Sequence, residues 1–216
     1  MLRKQKAMVY LTTQRIEAFS DGVFAIAITL LVLEIKVPHL HDSSSLWSGL
    51  ADLWSSYFGY VFSFIMIGVY WANHHHIFHL YKKSDHYFVL LNVFFLMCIS
   101  FLPFPTAVLA EYISNEQQRQ TAMTFYAFGL LLPAISWLLM WLYATRNHRL
   151  VDPTLSPAFI SKTTRLFLFS NAFYFAAILI SLWNGIAGLI VCTSLTLIFI
   201  QAPPEPVYID ENTNDH

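Results

Sequence analysis

Arg15, Glu17, Ser20 and Asp21 stand at the start of a run that otherwise suits lipid, residues 22–33, which carries no charge and ends at Glu34. A carboxylate inside such a run is costly in hydrocarbon and normally faces protein or water. On a helix rising 1.5 Å per residue, Asp21 lies about 9 Å beyond Arg15. A buried carboxylate without donors is neutralised or expelled. Indole and imidazole N–H groups are suitable donors, and the stretch "WANHHHIFH", residues 71–79, supplies both.

The chemistry open to these residues is limited. A Ser, a His and an Asp all occur, but no nucleophile motif and no paired intramembrane carboxylates accompany them, so an enzyme is not expected. Consecutive helical residues diverge by about 100°, so His74, His75 and His76 cannot share one metal ion. His75 and His79 have the i,i+4 spacing that can, yet no HExxH pattern or nearby cysteine joins them. The expectation is no metal site, with interfacial histidines that hydrogen-bond or titrate near neutral pH. For the polar cluster three roles stand: a structural network, help with ion entry, and proton sensing.

The elements that must hold these residues are membrane helices. Of the 216 residues 56% are hydrophobic and only 12% charged, where soluble domains carry about a quarter. Five runs free of charge, 53–72, 87–110, 122–145, 166–183 and 186–202, meet or approach the roughly 20 residues that a span requires. The stretch 15–37 is the sixth, retained and not a cleaved signal peptide, since Pro38 and His39 follow it instead of a small-residue cleavage site. Asn184-Gly185 is a turn signal that makes the last two runs a hairpin. Pro103 and Pro105 are expected to kink the third helix near its outer end. Cys98 and Cys192 sit in apolar runs as core residues, not as a disulfide. The near-neutral charge leaves no footprint for nucleic acid.

Basic residues set the orientation. With the N-terminus cytoplasmic, six spans place Arg3, Lys4, Lys6, Arg15, Lys82, Lys83, Arg146, Arg149, Lys162 and Arg165 inside, ten of the twelve Lys and Arg. Only Lys36 and Arg119 fall outside, as the positive-inside rule prefers. Trp47, Trp54 and Trp183 are then outer-interface residues and Trp71 an inner one. The outer loops, with Asp42, Asp52, Glu111 and Glu116, are acidic enough to concentrate cations modestly. Residues 1–202 form the transmembrane unit, and 203–216 are expected to be a disordered, Pro-rich, acidic tail.

In the first span Phe19, Gly22 or Val23, Ile26, Leu30 and Leu33 recur at three- and four-residue spacing and define one face. Arg15 and "FSDGVFAIAITLLVLEI", residues 19–35, resemble the signature of the transmembrane protein 175 family of potassium channels. The "WANHHHIFH" stretch and "LLNVFFLMCISFLPFPTAVL", residues 90–109, fit the same family, while the second half matches by topology only. The resemblance implies an all-α membrane protein with six transmembrane helices per subunit and both termini cytoplasmic. The first helix would line a central pore of a homotetramer in a prokaryotic plasma membrane, conducting K+ without a cofactor. It implies a hydrophobic constriction at Ile26, continued by Leu30 and Leu33, with Thr29 tied to potassium preference. It also implies a network of Arg15, Phe19, Ser20 and Asp21 with Trp71, His74 and His75. Thr29 and Leu30 are about 100° apart, and the sequence leaves open which faces the axis. An apolar ring can gate by dewetting. The alternatives are a proton channel or proton-coupled transporter using Asp21 and the histidines, and a non-transporting membrane scaffold.

Overall fold

The computed structural model describes residues 12–39, 45–201 and 203–209; the expected inside residues Arg3, Lys4 and Lys6, the outer-loop Asp42, and the tail from 210 lie outside them. The architecture is all helical, with α1 (Gln14–Leu30), α2 (Leu46–Asp52), α3 (Trp54–Phe78), α4 (His86–Phe101), α5 (Pro103–Tyr112), α6 (Arg119–Thr145), α7 (Pro157–Ser181) and α8 (Gly185–Ile200). Among the described residues, 14–34, 86–112, 119–148 and 157–181 are long and apolar enough to cross a membrane. The pair α2 and α3, bent by 47°, makes a fifth crossing if read as one span. At 16 residues α8 is apolar but shorter.

The helices end where their chemistry says they should. Ser45, Asp85 and Asn184 cap α2, α4 and α8 by accepting the backbone N–H of Ser48, Phe88 and Ala187, which satisfies donors that a helix start leaves open. Pro103 and Pro105 fall in the first turn of α5, where a missing N–H costs nothing. The expected disturbance of the third span is this break between α4 and α5, and the two remain close enough in direction to read as one span.

The bundle is organised around α6, which packs against α4, α5, α7 and α8. Its buried residues, among them Tyr126, Leu130, Trp137, Met140 and Trp141, cover most of its circumference, and Phe128, Ile135, Leu139 and Leu142 leave one exposed apolar stripe. The α7–α8 hairpin packed on it is itself so close that a Cβ at Gly188 would lie 2.7 Å from Ser181 Cα and 2.8 Å from the Ala177 carbonyl. By contrast α1 lies on the flank of the bundle, against α3 and α4. It buries Ile16, Ser20, Phe24 and Ala27 and leaves its other side open. The open residues are those whose spacing marked one face in sequence.

Two loops at one end are sewn together. Tyr81 bridges Val151, and the Lys82 amide donates to the Leu150 carbonyl at 2.9 Å. Asp85, 2% exposed, accepts from the Phe88 amide and from the Tyr143 hydroxyl with both oxygens, at 2.9–3.0 Å. Arg149 Nε stands 3.4 Å from the same carboxylate, with its guanidinium 4.4 Å above the Tyr143 ring. The expected disorder from Pro203 onward does not describe residues 203–209. The Ser156 amide donates to the Val207 carbonyl and the Ile209 amide to the Thr154 carbonyl, both at 2.8 Å, around a Leu155–Tyr208 bridge. The sequence Val207-Tyr208-Ile209 has strand propensity, which the proline-rich and acidic composition around it hides.

Candidate functional site: the first helix and its polar foot

Two faces of α1 divide the work. Ile16, Ser20, Phe24 and Ala27, with Leu31 one turn on, point into the subunit. Phe19, Ile26, Leu30 and Leu33 point out, 57%, 61%, 44% and 61% exposed. Thr29 is on the open side, and its hydroxyl donates back to the Ala25 and Ile26 carbonyls at 2.9 and 3.0 Å. The helix tightens into a 3-10 turn over Leu31–Glu34. Lys36 folds back onto the Leu33 carbonyl at 2.8 Å and is not paired with Glu34.

The polar foot resolves into two separate links. In the first, Trp71 Nε1 donates to Asp21 Oδ1 at 2.9 Å, tying α3 to α1. His75, one turn further along α3, lies against the Trp71 ring at 6.4 Å between centroids, inclined by 25°. The second link is buried. Asn92 Nδ2 donates to Ser20 Oγ at 3.0 Å, Ser20 Oγ donates to the Ile16 carbonyl at 2.8 Å, and His74 Nε2 contacts Asn92 Oδ1 at 3.1 Å. A carbonyl oxygen only accepts, so this contact requires a protonated Nε2 on His74. His74 is packed among rings: Phe78 at 4.0 Å, Phe24 at 5.5 Å, and Phe95 and Trp137 at 5.8 Å.

The links join Ser20, Asp21, Trp71 and His74 within one subunit, but not Arg15 or Phe19. Both of those residues are exposed, and among the described residues no acid pairs with Arg15. Helix geometry accounts for this: Arg15 and Phe19 are about 40° apart around the axis, whereas Asp21 is about 240° from Arg15. His75 does not reach Asp21; its hydrogen-bonding contact is His79, with the two Nε2 atoms 3.2 Å apart. The residue that sequence reasoning overlooked is Asn92, which is fully buried and joins three helices. Its signal was the lone amide in "LLNVFFLM", since a polar side chain inside a span is enriched at helix contacts.

Comparison with known proteins fits this geometry. A profile described as endosomal/lysosomal potassium channel TMEM175 matches residues 15–103, from the first helix through the end of α4. A potassium channel of Chamaesiphon minutus is 43% identical over 192 residues, spanning 87% of this chain and 93% of that one. The chain belongs to the TMEM175 family. A potassium channel of Streptomyces collinus is 42% identical over 153 residues, 70% of this chain and 73% of that one. The crystal structure of a lysosomal potassium-selective channel TMEM175 homolog from Chamaesiphon minutus superposes with a TM-score of 0.77 at 41% identity, covering 87% and 96% of the two chains. The TMEM175 of Gallus gallus, named an endosomal/lysosomal proton channel, is 30% identical over 147 residues, 64% of this chain and 29% of that longer one. This TMEM175 protein is accordingly a multi-pass membrane protein of an ion-channel family and not an enzyme.

Proposed function

We propose that the chain is a potassium-selective channel in which four copies set the open faces of their first helices around one axis, Ile26 forming the narrowest ring. Each subunit contributes six spans, with α2–α3 read as one bent crossing, α8 as the short sixth, and both termini cytoplasmic. Leu30 and Leu33 continue the apolar lining, and the Thr29 hydroxyl supplies a neutral oxygen beside it. The membrane is a prokaryotic plasma membrane, as the similarity to bacterial relatives suggests.

One observation carries this reading. The open face of α1 is apolar from Ile26 to Leu33 but for Thr29, yet exposed Asp21 stands at its foot with Trp71 as its donor. A helix facing lipid would meet the cost of that carboxylate, whereas one facing an aqueous axis would not. An apolar ring above an aqueous vestibule can gate by dewetting. Purified chain in liposomes provides the test: Ile26→Asn is expected to raise K+ flux and erode the preference for K+ over Na+. Unchanged flux and preference would remove Ile26 from the pore.

A second reading rests on the same foot and on the vertebrate relative named a proton channel. Here protons move by way of Asp21 and the histidines. The two readings part at Asp21→Asn, which keeps an oxygen for the Trp71 N–H but cannot titrate. The potassium reading expects K+ flux to persist in this variant. The proton reading expects pH-driven flux to collapse.

A further inference from the structure

The His75–His79 pair stands outside both links of the foot. Its Nε2 atoms are 3.2 Å apart, and its rings are almost perpendicular with centroids 4.6 Å apart. Both side chains are exposed. Residues four apart are neighbours on a helix. His75 lies in α3, and His79, at its C-cap, keeps helical backbone angles of φ −62° and ψ −22°. The spacing is therefore set by regular secondary structure.

That spacing suits a shared ion. Zinc holds an imidazole nitrogen at about 2.0–2.1 Å, so two nitrogens on one ion are about 2.9 Å apart at a right angle and about 3.4 Å apart at the tetrahedral angle. The distance in the structure falls between these limits. We propose that His75 and His79 form a two-nitrogen clip for a divalent transition metal ion of the Zn2+, Ni2+ and Cu2+ class, with water completing the coordination. Imidazole suits this class, whereas Mg2+ and Ca2+ select oxygen. Among the described residues no third His, Cys, Asp or Glu joins the pair. The ion is thus held openly and exchangeably, unlike the closed four-ligand sites that hold folds together. The expectation of no metal site, drawn from the lack of an HExxH pattern or a nearby cysteine, concerns a structural site. Without metal the two nitrogens share one proton as an N–H···N hydrogen bond, with one imidazole donating and the other accepting. Metal takes the Nε2 lone pairs of both neutral rings, and the donor ring's proton moves from Nε2 to its own Nδ1 through solvent. Since the His75 ring lies against Trp71, which holds Asp21, the clip sits one contact away from the joint between α3 and α1.

The test uses the full chain in detergent with any affinity tag removed, and it reads binding, not flux. Calorimetry with Zn2+ is expected to give one ion per subunit, bound at least tenfold more tightly than by His75→Gln or His79→Gln. The double variant should bind no more weakly than either single one, because one nitrogen left alone no longer chelates. His76→Gln should keep the unmodified affinity, and Mg2+ should not distinguish the variants. Zn2+ affinity equal in the double variant and the unmodified chain would overturn the proposal. Electron paramagnetic resonance of the unmodified chain with one equivalent of Cu2+ gives a reading that needs no substitution. Two coordinated imidazole nitrogens are expected, and a spectrum with only one would equally overturn it.

Discussion

Asn92 donates to the Ser20 hydroxyl at 3.0 Å and, with its other amide atom, faces His74 at 3.1 Å. One side chain on α4 thus satisfies polar groups on both α1 and α3. Replacing it by Leu leaves His74 and Ser20 buried without that partner. Leaving a buried polar group unsatisfied costs about 1–3 kcal/mol. Asn92→Leu is therefore expected to lower the thermal unfolding temperature in detergent by more than Ser20→Ala does. Ser20→Ala removes the hydroxyl but leaves the His74–Asn92 contact in place. Equal effects of the two substitutions would show that the chain from α1 to α3 has no mechanical unity.

The Asp85 carboxylate carries a larger burden. It caps α4, accepts twice from Tyr143 and faces Arg149. Removing one partner of a buried charge pair costs about 3–5 kcal/mol because the other is left uncompensated, and the loss of the cap adds about 1 kcal/mol. Arg149 is partly exposed, with a side chain 35% accessible, so the cost should fall towards the lower end. Chemical denaturation of Asp85→Ala against the unmodified chain measures it, and a loss under about 1 kcal/mol would place Asp85 among ordinary caps.

The loop that receives residues 207–209 should loosen in acid. The Thr154 hydroxyl and amide donating to Asp152, with Lys82 nearby, hold the Asp152 carboxyl below the ordinary carboxylate range. The folded value lies below the unfolded one, so the stabilisation is complete above the unfolded value and disappears as pH falls through the folded one. Unfolded aspartate titrates near about 3.9. Hydrogen exchange at the Thr154 and Ile209 amides should accelerate below that pH in the unmodified chain. In Asp152→Asn both amides should exchange independently of pH once the intrinsic chemical rate is divided out.

Gly188 tests the closeness of the last hairpin. Its absent Cβ would meet backbone at Ser181 and Ala177, not the end of a flexible side chain. Overpacking of this kind costs about 1–3 kcal/mol. Gly188→Ala should lower the melting temperature, while Gly68→Ala, where nothing lies within 4 Å, should leave packing undisturbed.

What the sequence made legible is what helical periodicity encodes. The outward set of Ile26, Leu30 and Leu33 and the inward set of Ser20, Phe24 and Ala27 differ by rotation about one axis, and a period of 3.6 residues reports rotation directly. The need of Asp21 for an N–H donor was equally readable, with Trp71, His74 and His75 as the candidates, and it is Trp71 that donates. Asn92 and Asp85 were harder to read. Their partners lie 72 and 58 positions away, and nothing local records such distances. The family resemblance grouped Arg15 with Asp21, yet six residues of helix turn the two apart. The run 207–209 was hidden by composition, since a few backbone hydrogen bonds to another loop leave little trace in an acidic, proline-rich stretch.

Among the described residues, every hydrogen bond from α1 to another helix is made at Ser20 or Asp21. Beyond them the helix is held by Phe24, Ala27 and Leu31 through apolar contact alone. Hydrogen bonds fix direction, whereas apolar contact is non-directional. The helix is thus a lever with its fulcrum at the foot. At the far end the turn over Leu31–Glu34 packs against α3 and α5, so any tilt at the foot must be taken up there by sliding of apolar surfaces with no directional bond to break.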